Sequence, residues 1–184
     1  MTRACVGLLL AAGQGSRFGG NKLLHPLHDG TPMVLASARP LHAALIDTVA
    51  VVNDANGEVA RLLAQEGLQV VCNPQARHGV GTSIACGVSA SRHASGWVIA
   101  LGDMPFVPLT IVQAVVTALA HGADIVAPVC GGQRGHPVGF STRHAEALMN
   151  LHADEGARGL IDAHRDSLEL IEVDELGVLV DIDS

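Results

Sequence analysis

The sequence predicts an α/β fold in which a mostly parallel, doubly wound sheet lies between two layers of helices. Short β-branched or apolar runs alternate with longer stretches of helical spacing, which is typical of βα units around a parallel sheet. The chain has 184 residues, and 48% of them are hydrophobic. This is enough to bury a substantial core, so we expect one domain over residues 1–184. Sheets of this kind bind ligands at the carboxyl ends of their strands.

Strands and helices can be assigned in order along the first 130 residues. TPMVLASA predicts a helix with Thr31 as N-cap and Pro32 at its first position, and Pro40 is expected to kink or end it. NGEVARLLAQEG predicts a second helix from Asn56 to a stop at Gly67. The predicted strands are VGLLLA, DTVAVVN, LQVVC, WVIAL and ADIVAPV.

The alternation fails after residue 128. GGQRGHPVGFS predicts a turn that leads into a short strand, because glycine and proline cluster there. A helix is predicted over residues 154–164, and LELIEV and VLVDI are predicted as late strands that complete the sheet. We find no internal repeat and no low-complexity segment.

Composition excludes several classes of function. Only 16% of residues are charged and the formal net charge is −7, which disfavours general affinity for nucleic acid or an anionic membrane. Aromatic residues make up 2% of the chain, so few side chains are available for the bases of a nucleic acid to stack on. We expect Trp97 to pack in the core. The apolar stretch in MTRACVGLLLAAG is too short to span a bilayer, and we interpret the chain as mature cytoplasmic protein.

The cysteines do not predict a disulfide framework or a zinc site. Cys5, Cys72, Cys86 and Cys130 are far apart and form no C-x-x-C pair, so we expect reduced and mostly buried thiols.

The glycine-rich stretch after the first strand is the main candidate for a functional loop. It does not fit the dinucleotide fingerprint, because Phe18 stands where the third glycine belongs after Gly13 and Gly15. It does not fit the P-loop either, because Asn21 follows Gly20 where lysine is required.

The same stretch still combines a strand, a glycine-rich turn and two cations, Arg17 and Lys22. Glycines let backbone N–H groups approach an anion closely, and the cations add charge, so the loop suits a triphosphate. The alternative, a purely structural glycine turn, would not require both cations.

At this point the motifs carry a resemblance to a known family. LAAGQGSRFGGNKLL resembles the signature L-A-[AG]-G-x-S-x-R-[MF]-G-x-x-K of the molybdenum cofactor nucleotidylyltransferases, with Gly15 where serine is common. GDMPFV is similar to the metal-binding turn of that family, RGHPVGFS to its substrate-side segment, and DIDS to the start of its terminal motif. DEGARGLI is similar to a segment of close relatives. The resemblance implies a Rossmann-like nucleotidyltransferase fold over nearly the whole chain.

The resemblance also implies a reaction. A nucleoside triphosphate is attacked in line at its α-phosphorus by a terminal phosphate of the acceptor, and pyrophosphate leaves. The loop and Arg17 would hold the β- and γ-phosphates, and Lys22 would reach the α-phosphate or the incoming one.

Nucleotide binding is assigned to the first motif and to a helix further along the chain. In the family, LAAG tends to accompany cytidine and LAGG guanosine, so CTP is favoured, with GTP as the alternative. NPQARHGVGTSIACGV resembles the part that encloses nucleotide and acceptor; within it, Ser83 either donates to a phosphate or base, or caps the helix or faces solvent. The predicted nucleotide-binding residues are Leu10, Ala11, Ala12, Gly13, Gly15 and Ser83.

Magnesium is the expected cofactor, because carboxylate and phosphate oxygens make up its preferred shell. Asp103 follows an apolar strand and is the first candidate ligand; the alternative is a turn residue that caps PFVP. Matching the terminal motif residue by residue gives Asp183 as the second ligand, with Asp181 nearby.

Arg134 and His136 are the predicted acceptor-binding residues. They lie in the segment that resembles the pterin-facing part of the family. His136 is alternatively a structural donor beside Pro137. The favoured function is transfer of CMP from CTP to a molybdopterin-type acceptor. The alternatives are a guanylyltransferase, a transferase acting on sugar or alcohol phosphates, and a non-catalytic cofactor-binding chaperone for a molybdenum hydroxylase. We expect a transient molybdoenzyme partner. We expect the chain to bind neither nucleic acid nor a membrane.

Overall fold

A mixed eight-stranded sheet organises the part of the chain that the structure describes. The computed structural model describes residues 4–13, 21–154 and 156–182. The strands are β1 (Val6–Ala11), β2 (Thr48–Val52), β3 (Gln69–Cys72), β4 (Gly96–Leu101), β5 (Ile125–Cys130), β6 (Gln133–Arg134), β7 (Val138–Ser141) and β8 (Leu168–Glu172). Their order is β3, β2, β1, β4, β7, β5, β6, and β8 also pairs with β5. Strands β1 to β4 are parallel, and so are β5 and β8.

Six α-helices within the described residues cover this sheet. They are α1 (Met33–Ala44), α2 (Glu58–Gln65), α3 (Val80–Ala90), α4 (Leu109–Ala120), α5 (Ala145–Met149) and α6 (Arg158–Ala163). The α2 helix begins two residues later than predicted and stops before Gly67, whose φ of 98° ends it as predicted. None of these helices has the length and apolar character needed to cross a membrane.

The core consists of two layers, one on each face of the sheet. Successive side chains of a strand point to opposite faces. On β1, Leu9 packs with α1, α2 and α4, whereas Leu8 packs with α3, α5 and α6. The predicted α/β/α layering around a mostly parallel sheet is therefore confirmed.

The first helix differs from the prediction at its start and at its proline. Thr31 is not the N-cap: its N–H donates to the Asp29 carboxylate at 2.9 Å, which holds it in the preceding turn. Pro32 occupies the cap position instead. Pro40 lies inside α1 without ending it, because the next residue, Leu41, is buried in the core and keeps the last turn packed on the sheet.

The C-terminal third departs further from the prediction. The expected short strand exists as β7, but it is antiparallel to both β4 and β5. The α6 helix is shorter than the predicted span of 154–164. VLVDI forms no strand, because its backbone groups bind elsewhere: Val178 O accepts from His136 N at 2.9 Å, and Ile182 N donates to Asp103 O at 3.1 Å.

Trp97 and the cysteines test the expected core. Trp97 is 1% exposed and packs in the core as predicted. The four cysteines are free, but Cys130 alone among them is buried. Cys72 is exposed because it ends β3, the edge strand of the sheet. The expectation of mostly buried thiols is therefore wrong.

A polar cluster ties β7 to the start of β5. Ser141 Oγ donates a short hydrogen bond to Asp124 Oδ1, and His144 Nε2 lies 3.2 Å from Asp124 Oδ2. Burial alone would raise the pKa of Asp124, but the hydrogen bond from Ser141 and the charge of His144 bring the pKa below its ordinary value. The folded state therefore favours the ionised carboxylate.

We expect Ser141→Ala to lower the free energy of unfolding by about 1–2 kcal/mol at neutral pH, because it removes a hydrogen bond to a charged group. The pKa of Asp124 is lower in the folded state, so its stabilisation is present above the ordinary value of 3.8 and is lost as the pH falls through the folded value. The gap between wild type and variant should therefore shrink in acid. Urea unfolding from neutral pH to about pH 3 measures it, with exposed Ser167→Ala as control; a gap that widens in acid would contradict the assignment.

Candidate active site

The carboxyl ends of β1 and β4 meet at one edge of the sheet. Gly102, directly after β4, donates its N–H to Leu10 O at 2.9 Å. A Cβ at Gly102 would lie only 3.0 Å from that oxygen, so glycine permits this close approach. Asp103 follows and lines a cleft at this edge, as its position at the end of a strand predicts.

Lys22 approaches Asp103 from the segment that follows β1. Its Nζ lies 3.2 Å from Asp103 Oδ2, and the two side chains are 11% and 31% exposed. The Asn21 side chain accepts the N–H of buried Leu23 at 3.1 Å and caps the 3₁₀ turn Lys22–Leu24, which holds the lysine backbone in place. The structure thus brings together a predicted phosphate-binding cation and the predicted metal ligand. Lys22 is also the only lysine in the sequence, which makes it selectively addressable by chemistry.

The cleft has a volume of about 440 Å³. Five predicted site residues line it: Leu10, Ala12, Gly13, Ser83 and Asp103. Ala11 does not, because its side chain packs in the core on the α1 face. Gly15, Arg17 and Asp183 lie outside the residues that the structure describes.

Ser83 belongs to a hydrogen-bonded group at the start of α3. Asn73 Nδ2 donates to Thr82 Oγ1 at 2.9 Å and to Ser83 Oγ at 3.0 Å, while Asn73 Oδ1 accepts from Gln75 N at 2.9 Å. Ser83 is 4% exposed, so it does not face bulk solvent, and the helix cap is Gly79. Its oxygen accepts from Asn73, which leaves its hydroxyl hydrogen to donate to a second partner, and Ser83 lines the cleft.

The segment 151–154 closes on the amino end of α3. Gly81 N donates to Ala153 O at 3.0 Å. Gly79 has a φ of 116°, and a Cβ there would lie 2.3 Å from the Ala153 carbonyl carbon. Ala153 itself has a φ of 64°, which is unusual for a residue with a side chain. This contact carries Asp154 into the lining of the cleft.

A second pocket, of about 240 Å³, lies beside the cleft. The two share Leu10, Val80 and Leu101 in their walls. Arg134 and His136, the predicted acceptor residues, both line this second pocket. The structure thus groups the predicted nucleotide residues and the predicted acceptor residues on either side of a common wall.

His136 presents a buried polar atom to this pocket. Its Nδ1 has no hydrogen-bond partner among the described residues. Burial lowers the pKa of His136 below its ordinary value, and the nearby charge of Arg134 lowers it further, against a raising influence of Asp103. The ring is therefore neutral at physiological pH. The alternative role as a structural donor is not supported at Nδ1, which donates to no described residue.

The donor set fits a hard divalent cation that is completed by substrate. Asp103 and Asp154 both line the cleft, and magnesium is commonly held by one or two carboxylates together with phosphate oxygens. No group of three or more His, Cys, Asp or Glu side chains that could form a protein-only metal cage occurs in the described parts of the chain. Ile182, which precedes Asp183, is hydrogen-bonded to the backbone of Asp103.

Sequence reasoning missed several residues of the two pockets. Arg77, Asp154 and Arg158 line them, and Asn73 donates to Ser83 in the wall of the cleft. Two of the stretches that contain them, NPQARHGVGTS and DEGARGLI, carry a resemblance to family segments, and this was the available signal. The individual side chains could not be selected, because charged residues in loops are ordinarily solvated.

The family follows from a match over most of the chain. The family model of the MobA-like NTP transferase domain matches residues 7–168. The chain belongs to this family.

Curated proteins and solved structures include several relatives of this MobA-like domain. Bifunctional protein GlmU of Sinorhizobium fredii is 27% identical over 174 residues, covering 92% of this chain but 36% of that protein. The chain therefore spans about a third of the length of this curated relative. Rv0371c of Mycobacterium tuberculosis is 24% identical with a TM-score of 0.81, covering 94% of this chain and 89% of that one. It has also been solved in complex with manganese, at 25% identity, the same coverage and a TM-score of 0.78.

A third relative is molybdopterin-guanine dinucleotide biosynthesis protein A of Archaeoglobus fulgidus. It is 20% identical with a TM-score of 0.64, covering 93% of this chain and 85% of that one. At this identity the likeness shows the shared fold. The predicted nucleotidyltransferase fold is therefore confirmed.

We expect Gly79→Ala to destabilise the MobA-like domain more than Gly30→Ala. Both glycines have positive φ, 116° and 81°, but a Cβ at Gly30 would meet nothing within 4 Å. Gly30→Ala should therefore cost about 1 kcal/mol of backbone strain. Gly79→Ala should cost about 1–3 kcal/mol more, because it also displaces the Ala153 backbone. Urea unfolding compares the two, and equal losses would show that the 151–154 segment does not press on α3.

Proposed function

We propose that this chain is a nucleotidyltransferase that transfers CMP from CTP to a molybdopterin-type acceptor with release of pyrophosphate. The observation that supports this most strongly is the ion pair between Lys22 and Asp103, which lines the cleft. It sets a cation for phosphate beside a carboxylate for a divalent metal, at the strand ends where α/β folds bind ligands.

The triphosphate occupies the cleft between the loop after β1 and the start of α3. Backbone N–H groups of the glycine-rich loop and Arg17 bind its β- and γ-phosphates, and the amino end of α3 adds a favourable dipole. Leu10, Ala12 and Gly13 lie along the nucleoside, and the Ser83 hydroxyl donates to it. The Ala12 methyl favours the smaller pyrimidine base, an effect worth about 1–3 kcal/mol.

In the reaction, a phosphate oxygen of the acceptor forms a bond to the α-phosphorus of CTP. The bond from that phosphorus to the bridging oxygen of the β-phosphate breaks, and pyrophosphate leaves with the electron pair. Lys22 neutralises charge on the α-phosphate as the two anions meet. Because its ammonium group is held 3.2 Å from Asp103, it is positioned before substrate arrives and needs little reorganisation.

Asp103, together with Asp183, would hold magnesium, and Asp154 faces the same cleft. When bound, the metal supplies neutralisation of phosphate charge and fixes the geometry of the triphosphate. The manganese complex of Rv0371c supports a divalent cation in this fold.

The acceptor lies on the side of Arg134 and His136. Arg134 binds its phosphate as a guanidinium donor. The name of the Archaeoglobus relative, a molybdopterin-guanine dinucleotide biosynthesis protein, supports a molybdopterin-type acceptor and also favours GTP as the second candidate nucleotide. A sugar or alcohol phosphate is the alternative acceptor, and a chaperone that binds the cofactor without turnover is the alternative class of function.

We expect magnesium- and CTP-dependent pyrophosphate release with a molybdopterin acceptor, at a lower rate with GTP. Asp103→Asn and Lys22→Met should each reduce this release at least about 100-fold, because the first removes a proposed metal ligand and the second removes the cation that neutralises the α-phosphate. Asp54→Asn, in an exposed turn, is the matched control. Turnover with GTP alone would select the guanylyltransferase, and acceptor binding without pyrophosphate release would select the chaperone.

The single lysine allows a second test that does not depend on the acceptor. Reaction with pyridoxal phosphate followed by borohydride reduction should label Lys22, and CTP with magnesium should protect it, because the bound triphosphate covers the ammonium group. Peptide mass mapping separates this label from the chain's amino terminus, which serves as internal control. Equal labelling of Lys22 with and without nucleotide would contradict its place at the phosphates.

A further inference from the structure

The carboxylate of Asp103 is paired with a cation that belongs to the chain itself. Lys22 Nζ lies 3.2 Å from Asp103 Oδ2, and the lysine side chain is 11% exposed against 31% for the aspartate. The carboxylate is therefore the more accessible member of the pair. The capped turn Lys22–Leu24 fixes the backbone of the lysine. Asp103 thus offers a divalent ion a carboxylate whose charge is already neutralised.

The other charges of the cleft show how much this contact matters. Arg77, Asp103 and Asp154 line the cleft. Among the described residues, no ion pair joins Arg77 to either of these carboxylates. Two carboxylates in one cleft attract a divalent ion, and an ammonium group in contact with one of them cancels half of their charge. The same ammonium group repels a second cation at short range.

We propose that Lys22 makes metal binding at this site depend on the nucleotide. Its ammonium group neutralises Asp103 and opposes the binding of a free divalent ion there. A triphosphate brings enough negative charge for both cations, so the ammonium group turns to the phosphates and frees Asp103 as a metal ligand. Because the turn fixes the backbone, only the end of the side chain moves. This inference rests on the proposed function, since it describes how that site admits its metal.

The consequence is a coupling between the two ligands. When one ligand strengthens the binding of another, the second strengthens the binding of the first by the same factor. CTP and the divalent ion therefore each bind more weakly alone than together, and the difference depends on Lys22. A purely structural ion pair would give no such dependence, because it would persist when the metal is bound.

Manganese is the probe, because its binding can be followed by electron paramagnetic resonance without nucleotide or acceptor. We expect Lys22→Met to bind manganese at least about 10-fold more tightly than wild type, because it leaves the charge of Asp103 unpaired. Lys22→Arg keeps the positive charge and should bind as weakly as wild type. Arg77→Met removes a positive charge from the same cleft, and Arg92→Met removes one from an exposed loop. Both are matched controls and should change the affinity by less than about threefold.

A double variant locates the bound ion. Lys22→Met combined with Asp103→Asn should lose the gain in manganese affinity, because the carboxylate that the lysine opposed is gone. A gain that persists in the double variant would place the ion elsewhere and overturn the inference. The inference also fails if Lys22→Met shows no gain, or if Arg77→Met shows an equal one. Circular dichroism checks that each variant folds.

Calorimetry gives the coupling from the nucleotide side and includes wild type, so it does not depend on one variant. CTP is titrated at a fixed concentration of free manganese and again without the ion. We expect manganese to tighten CTP binding at least about 10-fold in wild type, and by a smaller factor in Lys22→Met. Equal factors in the two proteins would overturn the inference and leave the proposed function standing. Failure of wild type to bind CTP under either condition would count against the proposed function itself.

Discussion

The contact between Lys22 and Asp103 links the two halves of the candidate site. One residue comes from the segment after β1 and the other from the end of β4, and the strands are adjacent and parallel. The ion pair is only partly exposed, so its charges are less screened than those of a surface pair. It holds the segment after the glycine-rich loop against the sheet edge at the place where phosphate and metal chemistry is proposed. The remaining groups of the site are arranged around this point.

The amino end of α3 provides the opposite wall, and its geometry depends on backbone more than on side chains. Gly79 and Gly81 let the 151–154 segment approach closely, and the Asn73 side chain ties β3 to the first turn of the helix through Thr82. The wall is therefore packed against the 151–154 segment on one side and bonded to the end of β3 on the other. A base lying against Ser83 would be in contact with a surface that is held from two directions, which suits discrimination between bases of different size.

Local sequence patterns predicted the elements near this site well, for a physical reason. Strands β1 and β2 are fully buried, and β4 is buried except for the partly exposed Leu101 at its end. Burial on both faces demands the continuous apolar runs from which these strands were predicted. Asp103 could be selected because the first polar residue after such a run must lie at the sheet edge. By contrast, the antiparallel insertion of β7 between β4 and β5 is a pairing between distant segments, and no local period encodes it. The same holds for VLVDI: its apolar residues suggested a strand, but its backbone bonds go to His136 and Asp103.

The residues that sequence reasoning missed also owe their position to pairing between distant segments of the chain. Arg158 and Asp154 belong to a helix start and a loop whose position depends on the return of the chain after β7, so their place in the lining of the two pockets becomes visible only in three dimensions. That return also explains why the two pockets share a wall. Because β7 runs antiparallel beside β4, the start of β7 lies next to the end of β4, and His136 is carried to the edge where Asp103 already lies. The lowering of the His136 pKa by Arg134 and the opposing influence of Asp103 reflect this proximity. A single reversal of strand direction thus brings an apolar pocket, a neutral imidazole and the carboxylate of the proposed metal site to one edge of the sheet.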